Sequence, residues 1–145
     1  MTIKDIVHKL TTYYDTNDPF ELAHALGVLI VKYPIGGVRG FYQFFQKTNV
    51  IFIDERLSEH DQRFVCAHEL GHMFLHKGVN AVFMDTRTNF KTSKYETEAN
   101  AFAMELMVQD VVILENINYT VNQLSRLLGY NEELIKLRLK SFREM

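Results

Sequence analysis

The stretch FVCAHELGHMFLHKG, from Phe64 to Gly78, constrains this chain more than any other part of it. His68, His72 and His76 stand four residues apart, and Glu69 directly follows the first. Their neighbours Phe64, Val65, Cys66, Ala67, Leu70, Met73, Phe74 and Leu75 are apolar. On an α-helix, residues i and i+4 share a face and lie about 6 Å apart along the axis. His68 and His72 can therefore turn toward one metal ion. Glu69 lies roughly 100° further round the helix, off the metal but beside the water such a metal would activate. One turn thus offers two ligands and a general base. A helix that is apolar on nearly every side is a buried helix. Imidazoles and a carboxylate inside it need partners, because unpaired buried polar groups are costly. A metal ion supplies them, whereas the competing reading, a solvated surface pair of histidines, does not suit these neighbours.

His76 has the same spacing but not the same prospect. It lies about 12 Å along the axis from His68, too far for one shared ion. The intervening Met73-Phe74-Leu75 has no glycine to turn the chain. It is expected to be a packed or capping residue near the helix C-terminus, where positive charge is favoured, with substrate contact as the alternative.

A catalytic zinc site usually takes three protein ligands and keeps one position open. The segment SKYETEANAFAMEL, from Ser93, offers Glu96 and Glu98. Glu96 shares a helix face with Ala99, Asn100, Ala103 and Leu106, small or apolar residues suited to close packing, and Gly71 would permit the approach. Glu98 shares its face with Phe102, Glu105 and Gln109, which is wetter. The third ligand is therefore read as Glu96, with Glu98 as the fallback. Asn100, one turn on, is placed to accept the free N–H of a ligand histidine. Ser93-x-x-Glu96 also reads as a capping box, the rival role for Glu96.

The remaining chain frames this pair of helices. Thr2 to Tyr14 has helical apolar spacing at Ile3, Ile6, Val7 and Leu10. Asp18-Pro19-Phe20-Glu21 opens a second helix with Asp18 as N-cap, Pro19 in the first position and Glu21 as the reciprocal cap. Val28 to Tyr33 reads as a strand. FYQFF and VIFI read as a hairpin joined by Gln46-Lys47-Thr48-Asn49. A helix is expected from Ser58 to about Lys77, stopped by Gly78, and another from about Lys94 to Gln109 with Ser93 as N-cap. Residues 79–90 read as loop. The C-terminal segment reads as two short helices around Gly129-Tyr130, capped by Thr120 and Asn131. Helices, a small sheet, then helices indicate an α+β fold. The 145 residues are read as one domain, with a C-terminal helical subregion from about 111.

The net charge of −2 creates no broad attraction to nucleic acid or to an anionic membrane. The C-terminal helices have a helix-turn-helix outline. Five basic residues against three acidic ones between Thr120 and Met145 are thin for a phosphate-binding surface. Leu124, Leu127, Leu128, Leu134, Leu137 and Leu139 call for burial, so packing on the core or docking a protein partner is favoured over direct DNA contact. The single cysteine, Cys66, excludes an internal disulfide and fits a reducing compartment. No apolar run is long enough for a membrane span. The opening MTIKDIVHKL is not a signal peptide, and a cytoplasmic setting is expected.

RFVCAHELGHMFLH followed by YETEANAFAMELMV resembles the ImmA/IrrE-type metallopeptidases, whose pattern joins an HELGHxxLH helix to an E-x-x-A-[NS]-x-FA-x-xL helix some thirty residues on. The resemblance covers Arg63 to Val108 well and VIFIDERLSEHDQ more loosely. It implies a zincin (gluzincin)-like core with a small three-stranded sheet packed on the HExxH helix. It also implies one Zn²⁺ held by His68, His72 and Glu96, with Glu69 as the catalytic residue. The implied activity is peptide hydrolysis, and the implied substrate a helix-turn-helix repressor of a phage or mobile element, cleaved or inactivated on induction. ELMVQD departs from the family's Leu-Met-Pro ending, which touches the following loop rather than the chemistry. Tyr42, Tyr95, Tyr119 and His76 are the candidates for a second oxyanion donor. The alternative function is a zinc-containing regulatory protein that binds a repressor or DNA through its C-terminal helices without efficient proteolysis.

Overall fold

The structure is a computed structural model that describes residues 1–76 and 90–144, with backbone only at 90–93. The expected loop over 79–90 thus lies almost wholly outside the described residues, as do Lys77 and Gly78. The described elements are α1 (Ile3–Tyr14), α2 (Pro19–Ala25), β1 (Leu29–Tyr33), β2 (Gly40–Phe45), β3 (Thr48–Asp54), α3 (Glu59–Leu75), α4 (Phe90–Met107), α5 (Asp110–Glu115), α6 (Val121–Leu128) and α7 (Glu132–Arg143). The architecture is α+β with one three-stranded sheet in the order β1-β3-β2.

Local chemistry accounts for most boundaries. Thr2, Asp18, Ser58, Thr120 and Asn131 each cap a helix N-terminus through a side-chain oxygen, a contact worth about 1 kcal/mol. Glu21 does not reach back to the Asp18 N–H as expected. Thr16 stands between them: its hydroxyl accepts from the Asp18 N–H at 3.1 Å and donates to Glu21 Oε1 at 2.9 Å. The hairpin turn is also tighter than expected. Thr48 and Asn49 belong to β3, and Gln46 and Lys47 alone turn the chain with φ of 50° and 62°. Two left-handed residues match the right-handed twist of the flanking strands.

β3 is the central strand, parallel to β1 from Leu29↔Val50 to Tyr33↔Asp54 and antiparallel to β2 from Gly40↔Ile53 to Phe45↔Thr48. Its Ile51 and Ile53 are fully buried. The sheet packs on α3, which also meets α2 and α4. This covering on several sides explains why α3 carries apolar residues nearly all round. Two glycines permit it. A Cβ on Gly40 would meet Val65 Cγ1 at 2.5 Å and the Phe52 carbonyl oxygen at 2.6 Å. A Cβ on Gly71 would meet Phe102 Cβ at 3.0 Å and Ala99 Cα and O at 3.2 Å. The close α3–α4 contact read from Gly71 and the small α4 face is therefore present.

α1 and α7 pack on α4 from outside. α4 ends at Met107 without a proline, and Arg138 of α7 meets the end of that helix. Its Nε–H donates to the Val108 carbonyl at 2.7 Å, while its other nitrogens reach Glu105 at 3.3 Å and Asp110 at 2.6 Å. Leu124 is buried at the α6–α7 pair, but Leu127, expected to be covered, is 54% exposed. No helix among the described residues is long and apolar enough to cross a membrane.

Candidate metal centre

α3 and α4 bring the polar residues of the two segments together inside this apolar packing. His68 and His72 lie one turn apart on α3, with ring centroids 4.8 Å apart. The Glu96 carboxylate of α4 spans them: Oε1 lies 2.7 Å from His72 Nε2, and Oε2 lies 3.1 Å from His68 Nε2. Asn100, one turn along α4, has its Oδ1 2.8 Å from His68 Nδ1. Glu69 is 2% exposed, with Oε2 3.9 Å from His68 Nε2. Donor atoms of His68, Glu69 and His72 all lie within 4.8 Å of one another. Proximity alone would group Glu69 with the two rings, but Glu96 lies closer to His68 Nε2 than Glu69 does and bridges both rings.

These contacts define a need for positive charge. With the Asn100 amide oxygen as acceptor, His68 carries its proton on Nδ1, and a neutral ring then presents a bare Nε2. That lone pair faces a carboxylate oxygen at 3.1 Å. Burial disfavours a charged His68 ring. The hydrogen bond to Glu96 and the charges of Glu69 and Glu96 outweigh it and hold the His68 pKa above its ordinary value. A cation between the rings and Glu96 meets the same demand. Two imidazole nitrogens and a carboxylate oxygen are the donor types that zinc takes, so the residues fit such an ion.

His76 is the C-cap residue of α3 and is 5% exposed. Sequence reasoning missed its principal contacts. Its Nδ1 lies 3.0 Å from His72 Nδ1, its Nε2 lies 3.0 Å from Glu98 Oε1, and its ring packs on Tyr95. The four-residue spacing was a signal for the first of these. Burial is the main reason the His76 pKa lies below its ordinary value, with His72 adding to the effect. Glu98 is placed on His76 rather than on the His68–His72 pair. α4 already begins at Phe90, so Ser93 lies within the helix rather than at its start; the Ser93 side chain, and with it the capping box that competed for Glu96, lies outside the described residues.

A cavity of about 330 Å³ opens on the cluster. His68, Glu69, Glu96 and Asn100 line it with Phe64 and Val65, and the segment Gly37–Gly40 leading into β2 forms its other side. The four candidates for an oxyanion donor are absent from this lining. Tyr42 donates to Asn49 Oδ1 at 2.6 Å, Tyr95 lies on His76, and Tyr119 is 46% exposed in the α5–α6 connection. Arg39 lines the cavity instead, a residue that no recognisable spacing singled out.

Comparison with known families bears on the same residues. The model of the IrrE N-terminal-like domain family, Peptidase M78, matches residues 20–140, which include the whole α3–α4 cluster. The chain belongs to this family. Two relatives share the likeness, one of them over nearly the whole chain. One, described as "Uncharacterized immunity region protein 2" of Bacillus phage phi105, is 36% identical over 147 aligned positions, covering 97% of this chain and 93% of that protein. The other, "Metallopeptidase ImmA" of Bacillus subtilis strain 168, is 34% identical over 123, covering 81% of this chain and 72% of its own length. Membership of a metallopeptidase family implies a metal ion, and the α3–α4 cluster has the donor set to hold one.

Proposed function

We propose that this metallopeptidase-family chain is a zinc-dependent endopeptidase with a zincin (gluzincin)-like core, and that its substrate is a helix-turn-helix repressor of a phage or mobile element. One observation carries the reading: the Nε2 atoms of two histidines share the Glu96 carboxylate, with Glu69 beside them at the cavity wall. In this proposal His68, His72 and Glu96 hold one Zn²⁺. A bound zinc ion supplies Lewis acidity, activating water and polarising a carbonyl. Glu69 accepts the proton of the attacking water on its carboxylate and delivers it to the leaving amine. Burial holds Glu69 in place at the cavity wall. Asn100 holds the His68 ring, with its Nε2 turned inward, at a single hydrogen bond.

A peptide substrate is proposed to add as a strand along β2. That strand stands at one edge of the sheet, and its first residue, Gly40, lines the cavity. Main-chain hydrogen bonds would then supply binding with little side-chain demand. The repressor target draws support from the phage relative, whose name assigns that protein to an immunity region. Residues 1–145 are read as one domain, because Arg138 ties the C-terminal helices to the end of α4. A cytoplasmic setting suits the buried free thiol of Cys66.

Arg138 also bears on DNA contact. It is buried in ion pairs with Glu105 and Asp110, so the outward-facing bases of this region reduce to Arg126, Lys136, Lys140 and Arg143, and Lys136 already pairs with Glu133. A protein partner is the better match for such a surface.

The test is a Glu69→Gln variant incubated, beside wild type and with and without chelator, with the repressor encoded next to the gene. The expected result is chelator-sensitive cleavage by wild type, and a variant that still takes up zinc but cleaves about 10²–10⁴-fold more slowly. Full activity in the zinc-loaded variant would sink the assignment of Glu69. An intact repressor with active wild type would sink the substrate assignment.

A further inference from the structure

We infer that Glu98 and His76 are positioning residues for the metal centre: Glu98, acting through His76, sets the tautomer in which His72 presents its Nε2 lone pair toward Glu96. This rests on the proposed metal site and adds to it two residues outside the ligand set.

Three contacts run in series. Glu98 Oε1 lies 3.0 Å from His76 Nε2, His76 Nδ1 lies 3.0 Å from His72 Nδ1, and His72 Nε2 lies 2.7 Å from Glu96 Oε1. A neutral imidazole has one donor and one acceptor nitrogen, and an ionised carboxylate only accepts. His76 therefore carries its proton on Nε2, donating to Glu98, and its Nδ1 is bare. A bare Nδ1 accepts from His72, which places the His72 proton on Nδ1 and leaves Nε2 with a free lone pair. That is the form a metal ligand requires. The reverse order would set the His76 lone pair against the Glu98 carboxylate. One carboxylate thus orders the protons of two rings.

Surroundings favour this chain. His72 is fully buried and His76 is 5% exposed, so water does not compete for the ring nitrogens. The Tyr95 ring covers His76 at a centroid distance of 4.4 Å. The two rings are enclosed, and the carboxylates at either end reach solvent, the Glu98 side chain 38% and the Glu96 side chain 31% exposed. Asn100 gives His68 the same service in a single step. His72 receives it through another histidine.

The test uses the full chain with Zn²⁺ alone as probe. Zinc affinity is measured by competition with a chromophoric chelator, and the ring tautomers by long-range ¹H–¹⁵N spectra of the zinc-loaded protein. Wild type is expected to show His72 protonated on Nδ1 and His76 on Nε2. Glu98→Ala is expected to weaken zinc binding about 10- to 100-fold. Glu98→Gln, which keeps an acceptor oxygen, is expected to recover most of that loss, a rescue that a purely structural role for the side chain would not require. Circular dichroism confirms that both variants are folded. Zinc affinity of Glu98→Ala within about twofold of wild type, against the expected range, or a His76 proton on Nδ1, overturns the inference and leaves the metal centre standing. Failure of wild type itself to take up zinc removes the centre and the relay together.

Discussion

Replacing Gly71 by alanine tests whether the α3–α4 contact sets the geometry of the site. The added Cβ would sit 3.0 Å from Phe102 Cβ and 3.2 Å from both Ala99 Cα and Ala99 O. Ordinary carbon contacts lie at about 3.5–4.0 Å, so the shortfall is about half an ångström. All three atoms are backbone or Cβ atoms of α4, and no rotamer change relieves them. α4 must therefore move away from α3. Overpacking of this kind costs about 1–3 kcal/mol, while alanine's better helix propensity returns about 1 kcal/mol. The expected net loss of stability is about 0–2 kcal/mol, read by urea unfolding in the presence of chelator. The sharper effect falls on the site, because His68 and His72 ride on one helix and Glu96 and Asn100 on the other. A shift of half an ångström would stretch the 2.8 Å His68–Asn100 contact to about 3.3 Å, past the usual hydrogen-bond range. Losing about 1.4 kcal/mol there weakens metal binding about tenfold, measurable by chelator competition. A variant stabilised by about 1 kcal/mol with unchanged zinc affinity would refute the reasoning, since propensity alone would then account for the substitution.

Two further outcomes follow from the structure. Arg138→Met removes the cation that faces Glu105, whose side chain is 6% exposed, and should cost about 3–5 kcal/mol in urea unfolding; pairing it with Glu105→Leu should restore most of that, and equal losses in the single and double variants would contradict the assignment. The Asp54 carboxyl is held down to about 2, from an ordinary 3.8, by hydrogen bonds from the Arg56 guanidinium and backbone N–H. A depressed acid contributes stability that is fully present above its unfolded pKa and is lost as pH falls through the folded one, so its share should fade between about pH 4 and pH 2. Acid titration of stability should therefore be shallower in Asp54→Asn over that window, and parallel curves for the two proteins would exclude the effect.

The parts of this site that were legible in the sequence are those that depend on one helix at a time. The His68–His72 spacing, the burial of α3, the shared face of Glu96 and Asn100, and the caps at Asp18, Thr120 and Asn131 all follow from periodicity or from side-chain chemistry within a few residues. The tight Gln46-Lys47 turn was not legible, because it carries no glycine to mark it, and the start of α4 at Phe90 lies ahead of Ser93, the residue read as its cap. The role of Glu98 failed for a different reason. Spacing along α4 separates its face from that of Glu96, but it does not say which residue of α3 each face meets. Along α3, the same four-residue step makes two different contacts. Between His68 and His72 it directs both Nε2 atoms to one carboxylate; between His72 and His76 it joins Nδ1 to Nδ1. Periodicity decides which rings are neighbours. Which nitrogen each ring turns toward Glu96 is decided across the helix interface, by Asn100 for His68 and, on the inference above, through His76 by Glu98 for His72. The chemistry of the centre is therefore written jointly on two helices, and reading either one alone recovers its residues without their protons.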